Sequence, residues 1–130
     1  MANLLLDVIA YLKAQSIVTG DGQDCFRDNL PPSPDNVVAI FEYADGGAQP
    51  GVVCFDRYLQ IQTRNLSYNQ AREKAYEIYN ALNTPEDPIK HLTSTRRTVI
   101  NGKSSPKKLL QDQNERIVFM SEIVVTTVTD

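Results

Sequence analysis

Between Val52 and Pro85 the hydrophobic period of the chain changes from two to 3.6, and that change restricts the architectures open to it. Within Val52–Arg64, Leu59 and Ile61 alternate with Gln60 and Gln62, the pattern of a strand whose sheet has one wet face. Ser67 followed by Gln70 is a capping-box pattern, in which each residue satisfies an amide that the first helical turn leaves orphaned. From there Tyr68, Ala71, Ala75, Ile78, Tyr79 and Leu82 fall on one apolar stripe, with Arg72, Glu73, Lys74 and Glu77 on the solvent side. Asn83-Thr84-Pro85 stops the helix, because proline lacks the amide a further turn needs. Two alanines in the stripe predict close packing on a sheet. The expected class is α+β.

The flanking segments are read in the same way. Residues Asn3 to about Gln15 predict an amphipathic helix, with Leu4, Leu5, Val8, Ile9 and Leu12 at helical spacing and Asp7 where the helix dipole favours an anion. Thr19-Gly20-Asp21-Gly22 ends it. Cys25 to Leu30 predicts a short strand stopped by Pro31, Pro32 and Pro34; Val37–Tyr43 predicts a better one, closed by Asp45-Gly46-Gly47. Asn101-Gly102 is a type I′ turn signal, so Thr95–Ile100 should pair with Lys103 onward, with Pro106 confining that partner to an edge. Ile117–Thr129 is apolar on both faces: Ile117, Phe119, Ile123 and Val125 on one, Val118, Met120 and Val124 on the other. Such a strand is central and covered twice, or one face waits for another subunit. With 130 residues, the expectation is one domain over 1–130, with a long basic loop or hairpin at about 90–115.

Charge is unevenly distributed. The net charge of −3 argues against general nucleic-acid binding. From Met1 to Gly46 the cations Lys13 and Arg27 face seven acids, among them Asp21, Asp24 and Asp28. From Arg96 to Lys108 come Arg96, Arg97, Lys103, Lys107 and Lys108 with no acid between them. Three readings of the basic stretch stand together: a solvated loop, a docking surface for an acidic partner, or a weak DNA contact. The acidic partner is either the Met1–Gly46 region of an identical subunit or a different protein. Opposite charges on two surfaces suit head-to-tail contacts, which close into rings when the rotation permits.

Catalytic templates fail on residue types. His91 is the one histidine, so any Ser-His-Asp or Cys-His site must use it, and it sits in a polar stretch flanked by prolines. One histidine and two distant cysteines do not make a zinc site. Asp21 and Asp24 beside glycines lack the alternating ligands and terminal Glu of a calcium loop, and are expected to form a turn. Asp45-Gly46-Gly47 is not a phosphate cradle, and Glu86-Asp87 has no neighbour to perturb a pKa. No enzyme activity, metal or cofactor is expected. The sequence allows a disulfide between Cys25 and Cys54, but buried reduced thiols are the expectation, since no basic segment or apolar run of secretory type precedes them. No stretch approaches the ~20 apolar residues of a membrane span, and the expected birthplace is intracellular.

In this order the elements resemble the phage tail-terminator proteins, also called tail-completion or minor capsid proteins of long-tailed phages. Three segments carry the resemblance: Leu4–Leu12 leading to Cys25-Phe26-Arg27 and the Leu30-Pro31 stop; Tyr58 to Arg64 followed by Ser67-Tyr68, Ala71-Arg72, Ile78-Tyr79 and Ala81-Leu82; and Pro106, Leu109, Asp112 and Arg116 before the closing strand. The resemblance implies a mixed, mainly antiparallel sheet with two helices packed on one face. It further implies a virion protein that forms a ring, typically a hexamer, at the head-proximal end of the tail, assembled in the host cytoplasm. That ring stops tube polymerisation, so the partners would be further copies, the tail-tube protein and head-completion proteins. A different neck or head-completion protein is the alternative in the same class, and a nucleic-acid-binding regulator or a small enzyme in another.

Overall fold

The computed structural model describes residues 4–48, 54–87, 89–92 and 97–128, with backbone alone at 44–48, 54–55, 91, 97 and 128. Among the described residues two helices, α1 (Leu4–Ala14) and α2 (Tyr68–Leu82), accompany six strands. The strands are β1 (Cys25–Arg27), β2 (Val37–Ala48), β3 (Cys54–Asn65), β4 (Ile89–His91), β5 (Arg97–Gln111) and β6 (Ile117–Val128). They form one sheet in the order β1-β2-β3-β6-β5-β4. All neighbours are antiparallel except β1 and β2, which run parallel. The sheet is therefore mixed and mainly antiparallel.

Its backbone is the β3–β6 pair, in register without interruption from Cys54↔Val128 to Asn65↔Ile117. Alternation then sorts side chains by face. Ile40, Leu59, Ile61, Ile100, Ile123 and Val125 meet Leu4, Val8, Leu12, Ile78 and Leu82 in one buried cluster, which places both helices on the same face. Burying a Leu or Ile side chain contributes about 1.5–3 kcal/mol, so this cluster supplies most of the drive to fold. Ala71 and Ala75 pack on Ile117 and Phe119 in a smaller cluster, the close helix–sheet approach that small residues permit.

Helix α2 begins where its cap predicts, but half of the capping box is replaced. Ser67 Oγ accepts the Gln70 amide at 3.3 Å, while the Ser67 amide donates to Asn65 Oδ1 at 2.9 Å and not to Gln70. An Asx turn thus does the work assigned to Gln70. Tyr68, expected in the apolar stripe, is 48% exposed and rests edge-on against Phe119, with ring centroids 5.2 Å apart.

Two turns expected from sequence do not form. Strand β2 does not close at Asp45-Gly46-Gly47; it runs on to Ala48 through register shifts between Glu42 and Ala44 and between Asp45 and Gly47. Bulges absorb the glycines. Asn101-Gly102 is not a turn either: both residues lie inside β5, paired with Val124 and Ile123. Gly102 is needed there for another reason, since α2 crosses at that point. Its amide donates to Asn83 Oδ1 at 3.0 Å, and a Cβ on it would lie 1.9 Å from Tyr79 Oη. The basic stretch expected as a loop or hairpin is a strand from Arg97 onward, entered from β4 and left through the 112–116 turn. Strand β4 covers only Arg97–Val99 of β5, which leaves the outer margin from Gly102 to Gln111 without a strand partner among the described residues. Pro106 sits on that margin, as an amide-less residue must.

Strand β6 is central. Its helix face is buried throughout; on the opposite face Val118 and Met120 are buried and Val124 is half-buried.

Candidate assembly surface

The face opposite the helices is organised by two buried arginines. Arg64, at the end of β3, donates to the carbonyls of Pro34 at 2.6 Å and Asp35 at 3.1 Å. Arg116, at the start of β6, donates to the Pro32 carbonyl at 2.5 Å, to Asp112 Oδ2 at 2.7 Å and to Asp35 Oδ1 at 3.4 Å. Together they pin the proline turn between β1 and β2 across one end of the sheet. Burial lowers the Arg64 pKa and the nearby Arg116 charge adds to this, against Asp112 and Asp35. The fork of a guanidinium suits such carbonyl pairs, which a lysine could not reach together.

Farther along this face, Lys103 of β5 reaches across β6 and β3 toward β2. Its ammonium donates to Tyr43 Oη at 2.9 Å, lies 4.9 Å from the Tyr58 ring centre, and is 3.6 Å from Glu122; Tyr43 Oη in turn donates to Glu122 at 2.8 Å. The Tyr43 hydrogen bond, with Glu122, raises the Lys103 pKa. Lys103, expected on a docking surface, is therefore engaged within its own chain.

The other candidates separate by edge. Asp21, Asp24 and Asp28 all flank β1, at one end of the strand order. Asp24 holds a turn, as the sequence suggests: its carboxylate accepts the amides of Thr19 at 2.9 Å and Gly20 at 3.2 Å. Asp21 pairs with Arg27 at 3.2 Å. Asp28 is exposed, with φ +53°, and accepts the Glu42 amide at 3.4 Å. Lys107 and Lys108 lie exposed on β5, near the other end of the order, and make no hydrogen bond or ion pair among the described residues. Beside them Leu109 and Leu110 are 43% and 45% exposed. Arg96 lies outside the described residues, and Arg97 opens β5 with only its backbone described.

His91 belongs to β4, paired with Arg97. Cys25 is a buried free thiol whose pKa burial pushes up to about 12, with the charges of Asp24 and Asp21 adding. Among the described residues no group of three or more His, Cys, Asp or Glu could hold a metal ion, and no helix is long and apolar enough to cross a membrane. A cleft of about 380 Å³ opens between the end of β3 and α2. Lys74 occupies part of its wall, donating to the Ile17 carbonyl at 2.9 Å and to Glu77 at 3.0 Å.

Sequence reasoning did not find the Tyr43–Tyr58–Glu122 group or the part Arg64 plays. The parity of Tyr58 with Gln60 and Gln62 places Tyr58 on the open face, but nothing in the sequence pairs it with Lys103.

The sheet is clad by helices on one face, and exposed acidic and basic side chains lie at different margins of it. The family described as bacteriophage tail terminator protein matches residues 11–129, and the chain belongs to that family. It is a structural tail protein of a virion. Among solved structures, a chain of one titled "Virion of native gene transfer agent (GTA) particle" has a similar fold. The TM-score is 0.66 at 12% identity, covering 96% of this chain and 96% of that one. No curated protein matches.

Proposed function

We propose that the chain acts as a single domain and closes into a ring, a hexamer, on the head-proximal end of the tail tube. The ring ends tube polymerisation and offers its far side to the head-completion proteins. Family membership across residues 11–129 carries this reading. The separation of acidic and basic candidates to different strands supports it, because a head-to-tail contact needs two different surfaces on each copy. No step of this role requires catalysis.

Electron microscopy of the purified protein mixed with tail tubes tests the proposal. Density for a ring is expected at one end of each tube, and tubes should stop lengthening when it is present. A protein that stays monomeric in the mixture, with tubes growing unchecked, overturns the reading.

A further inference from the structure

We infer that the seam between neighbouring copies joins the β5 margin of one to the β1 margin of the next, through side chains and without a continuous backbone ladder. This rests on the ring reading above and adds to it which surfaces meet.

The strand order sets the argument. Strand β1 lies at one end of the sheet, and the uncovered part of β5 lies toward the other, because β4 stops at Val99. On the β5 margin Lys107 and Lys108 are exposed and unengaged among the described residues, next to exposed Leu109 and Leu110. Two cations beside two leucines on an edge strand call for a partner that is both acidic and partly apolar. Phosphate-rich DNA would satisfy the lysines and leave the leucines wet. The β1 margin has the required chemistry: Asp28, and Asp21 with its partner Arg27, are exposed around a half-buried Phe26, with half-buried Leu30 following, and Asp24 adds a further acid beside them. Each copy carries one margin of each kind, so the contact is heterologous and every copy uses both surfaces.

Backbone pairing cannot carry this seam. Pro106 has no amide to donate, β5 breaks register at three places between Gly102 and Leu110, and β1 is three residues long. Ion pairs and leucine burial remain.

Two variants test it. Lys107→Glu/Lys108→Glu makes the β5 margin acidic; Asp21→Lys/Asp28→Asn makes the β1 margin basic, with Asn retained at a positive φ it tolerates. Each variant alone is expected to lose about tenfold or more in rings formed on tail tubes at low salt. An equimolar mixture of the two is expected to recover them, because acid-margined and base-margined copies alternate around a ring of even number. Recovery on mixing cannot come from misfolded protein, and thermal melts of each variant confirm the fold. Wild-type ring yield from either variant alone overturns the seam while leaving the ring reading intact, as does loss in both without recovery on mixing. Absence of rings from the unaltered protein on tubes overturns both.

Discussion

Gly102 in the middle of β5 lies directly beneath Tyr79 of α2, so closely that a methyl group on it would overlap the phenol oxygen at 1.9 Å and the ring carbon bearing it at 2.6 Å. The tip of the Tyr79 side chain occupies the space that a side chain at position 102 would need. Gly102→Ala is expected to destabilise the protein by about 1–3 kcal/mol. In Gly102→Ala/Tyr79→Ala the two costs should sum to less than additive, since the second change removes the atoms that the first collides with. Chemical denaturation of the four proteins of this cycle checks it; strict additivity would show that the glycine matters for another reason.

Arg116 ties the proline turn between β1 and β2 to the 112–116 turn with one side chain that is 6% exposed. Arg116→Ala strands the Pro32 carbonyl and leaves Asp112 without its cation, at an expected cost of about 2–4 kcal/mol. Arg116→Lys should recover less than half, because an ammonium cannot serve Asp112 and Pro32 from the positions that Nε and Nη1 occupy. Urea midpoints at constant slope separate these cases.

Acid should unfasten the same region. Burial works to raise the Asp112 pKa, but the amides of Arg116 and Asn114 and the Arg116 guanidinium outweigh it and hold the carboxyl below its ordinary value. As pH falls the unfolded chain takes up this proton before the native one does. The stabilisation is therefore complete above the ordinary aspartate pKa of about 3.9 and is lost as pH drops through the lower native value. Stability measured against pH in Asp112→Asn should be flatter across that acid window than in the unaltered protein.

The helix α2 cap distinguishes two neighbours in sequence. Ser67→Ala and Asn65→Ala are each expected to cost about 1 kcal/mol, because each removes the acceptor of a first-turn or entering amide. Gln70→Ala should be near neutral, since its amide and not its side chain makes the contact. A cost at Gln70 equal to that at Ser67 would reinstate the full box.

Cys25 should be chemically silent while the protein is folded. With its pKa pushed up to about 12 by burial and by Asp24 and Asp21, little thiolate exists at neutral pH. In a Cys54→Ser background, alkylation by iodoacetamide should proceed at the rate of unfolding, measured in parallel by circular dichroism. Rapid stoichiometric labelling of native protein would contradict this.

Much of the fold was legible because local and global preferences agree there. The alternation at Leu59–Gln62, the stripe of α2 and the doubly apolar Ile117–Val125 each state a period and a degree of burial, and the structure places them accordingly except for Tyr68 at the start of the stripe. Reading failed where glycine carried two meanings. Asn101-Gly102 and Gly46-Gly47 have the composition of turns, yet the first makes room for a helix and the second lies in a bulged strand. Only tertiary contact decides between such uses. Charge has the same ambiguity: the sequence offers Lys103 as an interface candidate and Asp24 as both a turn residue and an interface candidate, and the fold engages Lys103 with Tyr43 and Glu122 and gives Asp24 its turn. Lys107, Lys108, Asp21 and Asp28 are exposed, Asp21 in an ion pair with Arg27 and Asp28 accepting the Glu42 amide.

Pro106 and the stutters around it also bear on how the molecule behaves before it reaches its destination. A smooth, fully amidated strand rim would be copied by the next chain to arrive, and free subunits accumulating in a host would zip into open-ended aggregates. The interrupted rim denies that template. In the role proposed above, a protein that brings one polymer to a halt is thereby kept from seeding another made of itself.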